Sequence, residues 1–221
     1  MRLTIVAATG GIGRQLVEQA LAAGHEVTAV ARYPQGVPTQ ARLVAVDLAR
    51  PDQAALASAV TGADAVLSAL GARTAADRGV ATRGTEAIAL AMRATGARRL
   101  LVVSAAPIGT VASPARPRPP RYDPGDGFFM RAVLNPLVKV ALREHYADLA
   151  RMEDIVRASG LDWTIIRPPR LLDTPLTGVY RTAYERNLRR GLAISRADVA
   201  DLMLRALRQP ETIRKTVGVA Y

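Results

Sequence analysis

The sequence predicts an α/β fold: a doubly wound parallel sheet carrying helices on both faces, in three layers. Apolar, β-prone runs alternate with alanine-rich helical patterns along the 221 residues, the order that βαβ units require. Runs such as LLVV and AVLSAL are continuously apolar, which suits strands covered on both sides rather than half-exposed ones. A hydrophobic content of 49% is enough for a core, and the length fits a single domain over residues 1–221.

Leu3–Ala7 reads as a buried strand and Gly11 to Ala23 as a helix, stopped by Gly24. Glu26–Ala31 is the second strand and Arg42–Val46 a short third. Pro51–Val60 is a helix with proline in its first turn. Asp64–Leu70, Val80–Thr95 and Arg99–Ser104 continue as strand, helix and strand. The pattern then breaks, because Pro107, Pro114, Pro117, Pro119 and Pro120 cannot sit in a helix or a central strand. This Pro/Arg-rich stretch, about 107–136, reads as a loop after the fifth strand, where open α/β sheets place their ligand crevice. Its Gly125–Met130 segment, GDGFFM, is either a lid or part of a disordered surface insertion. A long helix is expected from Leu137 to Ser159, stopped by Gly160. Strand Asp162–Arg167 ends at Pro168-Pro169, and a further segment follows around Tyr180. Helix Arg196–Leu207, with Ser195 as its N-cap, and a strand near Thr216–Ala220 complete the chain.

Composition excludes several functions. There is no cysteine, so disulfides, thiolate-bound metals and a Cys nucleophile are out. His25 and His145 are the only histidines, too few for a His-based zinc site, so no metal is expected. No uncharged apolar run approaches the roughly 18 residues of a membrane span, and the start MRLTIVAATGG lacks a signal peptide's basic region. A cytoplasmic protein is the expectation. The net charge of +11 comes almost wholly from arginine, since Lys139 and Lys215 are the only lysines. With 4% aromatics there is no stacking platform for single strands, and nucleic acid is an unlikely partner. Attraction for anionic small molecules explains the charge as well.

Thr9, Gly10, Gly11, Ile12 and Gly13 join the first strand to the first helix. Glycines suit that turn because it is tight, its backbone must approach a pyrophosphate, and the helix must pack close to the sheet. The N–H groups and dipole of the helix start then hold the phosphates. In strand–turn–helix context this is a Rossmann-like dinucleotide site. An NAD site would place an acid about 20 residues further on; here Ala31-Arg32 stands there, with no acid nearby in sequence. The Arg32 guanidinium matches a 2′-phosphate and points to NADP(H), unless Arg32 is one more solvated arginine. Asp47, followed by Leu48, is placed to approach the adenine or simply opens the next loop.

With these residues in hand, the chain resembles an atypical short-chain dehydrogenase/reductase of the NAD(P)H-binding, NmrA-like group, nearest to the flavin reductase/biliverdin reductase B type. The resemblance covers nearly the whole chain through ATGGIGRQLVEQAL, VDLARPDQAALASAVTGADAVLSALGA and RMEDIVRASGLDWTIIRPPRLLDTPLTGVYR. It implies that Leu70-Gly71, Ser104 and Pro168-Pro169-Arg170 line the cofactor. Ala7 stands where the group usually has glycine, tolerable if the backbone keeps a negative φ. The Tyr-x-x-x-Lys pair of the typical enzymes is absent, and Arg170 takes the place of a histidine.

Hydride transfer asks the protein mainly to position the nicotinamide against its acceptor and to stabilise charge there. Ser104 is expected either to donate to a carbonyl oxygen or to satisfy nearby backbone. Arg170 either binds a substrate carboxylate or is a surface arginine. His145, with Tyr146, is the candidate proton donor, or else a helix-surface residue. Phe128 and Phe129 either stack on a planar substrate or anchor the loop, and Trp163 is core. The reading is an NADPH-dependent reductase of a small conjugated acceptor, anionic or planar, working as a monomer or homodimer. Its alternatives are a non-catalytic NADP(H)-binding regulator, or a biosynthetic enzyme performing isomerisation, cyclisation or dehydration.

Overall fold

The computed structural model describes residues 1–33, 35–72, 74, 77–126 and 142–221. Ten strands and five α-helices are found among them. The first half runs β1 (Arg2–Val6), α1 (Gly11–Ala22), β2 (Glu26–Ala31), β3 (Arg42–Ala45), α2 (Gln53–Val60), β4 (Ala65–Ser68), α3 (Val80–Thr95) and β5 (Arg99–Val103). After a 3-10 turn at Ala106–Thr110 come α4 (Arg143–Ala158), β6 (Asp162–Arg167), β7 (Arg170–Leu172), β8 (Arg181–Tyr184), β9 (Ala193–Ser195), α5 (Arg196–Ala206) and β10 (Lys215–Ala220).

Eight strands form one sheet in the order β3-β2-β1-β4-β5-β6-β10-β8. All pairings in it are parallel except β10 with β8, so the expected parallel sheet gains an antiparallel edge. β7 and β9 pair separately as a short parallel ribbon. Side chains alternate across the sheet as the pleat requires. Leu3, Ile5, Leu67, Leu101 and Ile166 pack with α1 and α5, whereas Val6, Val66, Leu100, Val102 and Ile165 pack beneath α2, α3 and α4. The two cores make the three layers, and each fully buried Leu or Ile contributes about 1.5–3 kcal/mol.

Helix starts show where local sequence decides and where it does not. The Ser195 hydroxyl accepts from the Asp198 N–H at 2.9 Å, as expected of an N-cap. α2 begins later than its proline suggests, because Asp52 caps it by accepting from the Ala54 and Ala55 N–H groups. Gly79, before α3, offers no side chain. That cap comes instead from Asp148 of α4, which accepts from the Ala81 and Thr82 N–H groups at 3.1 and 3.0 Å. α4 is described from Arg143, after Leu142 in a turn; the expected start at Leu137 falls in residues 137–141, outside the described residues.

The chain passes from β1 to β2 on one side and reaches β4 on the other. This reversal of strand order opens a crevice at the carboxyl ends of β1 and β4, the usual ligand position of such sheets.

Candidate functional site

The turn after β1 is built around a close backbone approach. The Gly10 N–H donates to the Ala7 carbonyl at 2.8 Å, and the Ala8 N–H to Val30 at 3.1 Å. A Cβ on Gly13 would stand 2.1 Å from the Ala7 oxygen, so only glycine fits. At Gly11 the neighbour is a side chain: a Cβ would meet Cδ of Arg196 at 2.5 Å and its Nε at 2.7 Å. Ala7 itself has φ +59, which corrects the expectation of a negative φ. The strand must reverse there so that its carbonyl faces Gly10 and Gly13, a conformation that strains any L-residue by about 1–2 kcal/mol. Gly10 precedes α1 without a side-chain cap. The first-turn N–H groups of α1 therefore have no side-chain acceptor at the N-cap, and can serve an anion.

Beside this turn lies a cavity of about 290 Å³. Thr9, Arg32, Leu48, Leu70 and Gly71, all anticipated from sequence, line it together with Ala7, Tyr33, Thr74 and Asp77. Its floor is apolar because α3 comes close at Gly84, where a Cβ would be 2.4 Å from a Leu70 methyl and 3.3 Å from Leu48 Cβ. At the end of β2 the Arg32 guanidinium bonds Asp77 at 2.9 Å and lies 3.5 Å from Asp47. The bond to Asp77, and secondly the charge of Asp47, raise its pKa further, so it stays a cation. The expectation of no acid near Arg32 holds along the chain and fails in space. Asp77 is 45 residues away, brought in by the β4–α3 connection, and no local spacing could reveal it.

Ser104 and Pro168 do not line this cavity; they sit at the ends of β5 and β6, where the Ser104 N–H bonds Ile166 and the Ala106 N–H bonds Pro168. The Ser104 hydroxyl donates to Glu153 Oε1 at 2.6 Å. Glu153 is fully buried and is held by Arg167 through two bonds of 2.8 and 2.5 Å and by Arg157 at 2.9 Å. Burial alone would raise its pKa. The bonds and charges of Arg167, Arg157 and Ser104 outweigh that and keep it below the usual carboxylate range. Glu153 is therefore acceptor-only at neutral pH, the single Ser104 proton is committed to it, and Ser104 offers a ligand its lone pairs. Sequence reasoning missed this network. The signal was Arg167, a charged residue closing the apolar strand DWTIIR, which demands a buried counter-charge.

His145 lies against the end of β4: a Cβ on Gly71 would be 4.0 Å from its Cε1. Burial lowers its pKa, with Asp148 acting in the opposite sense, so the imidazole is neutral at pH 7. Tyr146, ring centroid 5.9 Å away, is buried and its pKa raised. Ile12 is buried within α1, and Trp163 belongs to the core. Arg170 is exposed on β7 and lies outside the cavity lining. Residues 107–126 are tied down by Asp154, which accepts from Ser113 Oγ and the Ala115 N–H at 3.0 Å. Asp123 and Asp126 tie the same stretch to Asn187. Phe128, Phe129 and most of the expected lid lie outside the described residues. Among the described residues no group of three or more acidic or His side chains could hold a metal, and no helix is long and apolar enough to cross a membrane.

The sequence profile of a family described as NAD(P)H-binding matches residues 7–210. The chain belongs to this NAD(P)H-binding family. Its glycine turn, apolar crevice and Arg32 fit the adenosine and phosphate half of such a dinucleotide. Solved structures agree on the fold. A Lactococcus lactis oxidoreductase aligns over 100% of this chain and 90% of its own, with TM-score 0.79 and 19% identity. A Veillonella parvula short-chain dehydrogenase/reductase in complex with NADP covers 100% and 94%, with TM-score 0.79 and 18% identity. A candidate NADH-flavin reductase of Streptococcus pneumoniae covers 100% and 99%, with TM-score 0.72 and 27% identity. Among curated sequences, uncharacterised Mycobacterium tuberculosis proteins are 36% identical over 105 residues, 47% of this chain and 12% of theirs; the chain thus spans a small part of the length of these relatives. The Schizosaccharomyces pombe UPF0659 protein is 30% identical over 192 residues, 80% of this chain and 74% of its own.

Proposed function

We propose that this chain is an NADPH-dependent oxidoreductase that passes hydride to a small conjugated acceptor: a ketone, enone, quinone or flavin. One observation carries the reading. The switch-point crevice is lined by Thr9, next to the start of α1 that has no side-chain cap, and by a cationic Arg32 at the end of β2. The Veillonella parvula structure with NADP and the Streptococcus pneumoniae candidate reductase support it.

In this reading the Thr9–Gly13 backbone holds the pyrophosphate and Arg32 the 2′-phosphate. Asp47 and Leu48 meet the adenine, Leu70 and Gly71 wall the crevice, and Pro168, at the end of β6 outside that cavity, flanks the nicotinamide end. When bound, the dinucleotide supplies a hydride from its nicotinamide ring. Ser104 accepts a hydrogen bond from a donor group of the cofactor, since its own proton is held by Glu153. His145, neutral at pH 7, donates a proton only once charged. Turnover should then rise as pH falls through the lowered pKa of His145, and His145→Gln should abolish that rise. Calorimetric titration with NADPH and NADH tests the reading directly. A clear preference for NADPH supports it, and binding of neither removes it.

A second reading, a non-catalytic NADP(H) sensor, is favoured by the commitment of the Ser104 proton to Glu153 and the exposure of Arg170. Tight NADPH binding without turnover on flavins, quinones or enones would select it.

A further inference from the structure

Arg32 does not wait in the crevice as an unaccompanied cation. Its Nη2 bonds Asp77 Oδ1 at 2.9 Å, and its Nε lies 3.5 Å from Asp47 Oδ1. Asp77 is held independently of Arg32, because its other oxygen, Oδ2, accepts from both the N–H and the hydroxyl of Thr74 at 3.1 Å. The Asp77 side chain is 13% exposed and that of Arg32 44%. The carboxylate is thus the fixed partner and the guanidinium the accessible one.

We propose that Asp77 is a specificity-determining residue: it occupies, on Arg32, the place that a 2′-phosphate must take. The inference rests on the reading of the crevice as a dinucleotide site. Asp77 and Asp47 both stand against the Arg32 guanidinium, so its charge is already engaged before any ligand arrives. A phosphate monoester brings a further charge of about −1.5 to −2 near neutral pH. It must compete with Asp77 for Arg32 and stand beside that carboxylate. A ribose 2′-hydroxyl meets neither penalty. It can donate to Asp77 Oδ1, the role that NAD sites give to an acid at the end of the second strand. The crevice therefore carries both devices, with the acid delivered from the β4–α3 connection. NADPH is preferred by less than Arg32 alone would give, and NADH remains an acceptable ligand.

The test measures binding of adenosine 2′,5′-bisphosphate and of 5′-AMP by calorimetry at low salt. It compares wild type with Asp77→Asn and Asp77→Ser, after melts without ligand have shown each variant folded. Asn keeps an oxygen for Thr74 while losing the charge, and Ser removes the charge with a smaller side chain. In wild type the bisphosphate should bind less than about tenfold more tightly than 5′-AMP. Both variants should gain about tenfold for the bisphosphate, and their affinity for 5′-AMP should stay level or fall. Bisphosphate affinity that is unchanged or weaker in both variants, with 5′-AMP still bound, would overturn the role of Asp77 and leave the nucleotide site standing. Failure of wild type and both variants to bind either probe would overturn the site and the role of Asp77 together.

Discussion

At the scale of single residues, the turn after β1 sets a strained alanine against an indispensable glycine. Ala7 has φ +59, and its carbonyl is the atom a Cβ on Gly13 would strike at 2.1 Å. Ala7→Gly relieves about 1–2 kcal/mol of left-handed strain and returns about 0.4–1 kcal/mol through the freer unfolded chain. The variant should be about 0.5–1 kcal/mol more stable, read as a higher urea midpoint at constant slope. A lower midpoint would mean that the alanine methyl makes contacts worth more than the strain. Gly13→Ala should fail in the opposite direction, by about 3 kcal/mol or more, since the obstacle is backbone. Glu153 gives a second residue-scale prediction. Its folded pKa lies below the ordinary value of 4.5, so the unfolded chain binds the proton first as pH falls. The ion-pair contribution is complete above about pH 4.5 and disappears as pH drops through the lower folded value. Glu153→Gln should remove that part of the acid limb, and it should be destabilised at pH 7 by leaving Arg167 buried without its counter-charge. An unchanged acid limb would place the acid-sensitive groups elsewhere, Asp198 first among them, since its pKa is also lowered.

At the scale of elements, α3 is capped from outside its own segment. Asp148 of α4 receives the Ala81 and Thr82 N–H groups and the Thr82 hydroxyl. Asp148→Ala should destabilise the protein by about 1–2 kcal/mol and speed hydrogen exchange in the first turn of α3, while Asp148→Asn should do less. Normal protection of that turn in Asp148→Ala would mean that the helix start is held by its packing alone. The same long reach explains what could be read from the sequence. Strand and helix alternation, the stops at Gly24 and Gly160 and the Ser195 cap are local signals, and they were legible. The antiparallel β8 and the β7–β9 ribbon were not, because three- and four-residue strands show too little alternation and their partners lie far along the chain. The site divides in the same way. Thr9, Arg32, Leu48, Leu70 and Gly71 stand at strand ends that the βαβ order locates, and they meet in one cavity. Asp77 and Glu153 act through partners that only the sheet order brings near, so Arg32 looked unaccompanied and Ser104 looked free to donate.

At the scale of the whole molecule, cofactor binding and folding must be linked, because the crevice draws on the ends of β1, β2, β3 and β4, which an unfolded chain does not bring together. A ligand at a hundredfold excess over its Kd adds about 2.7 kcal/mol to stability. For a chain of this size each kcal/mol raises Tm by about 2–4 °C. Saturating NADPH should therefore raise Tm by about 5–10 °C, with NADH giving a smaller but real shift. Salt separates the origins of the two shifts. Arg32 is half-exposed, and the Debye length falls to about 8 Å at physiological ionic strength, so the excess of NADPH over NADH should shrink as salt is added. The shared part, from α1 N–H groups and the apolar floor of Leu48 and Leu70, should persist. The net charge of +11 also favours the more highly charged NADPH, so Arg32→Gln separates the two origins: loss of most of the NADPH excess in that variant assigns it to Arg32 rather than to the diffuse field. Equal shifts for NADPH and NADH at every ionic strength would remove Arg32 from 2′-phosphate recognition, and no shift with either would remove the crevice as a dinucleotide site.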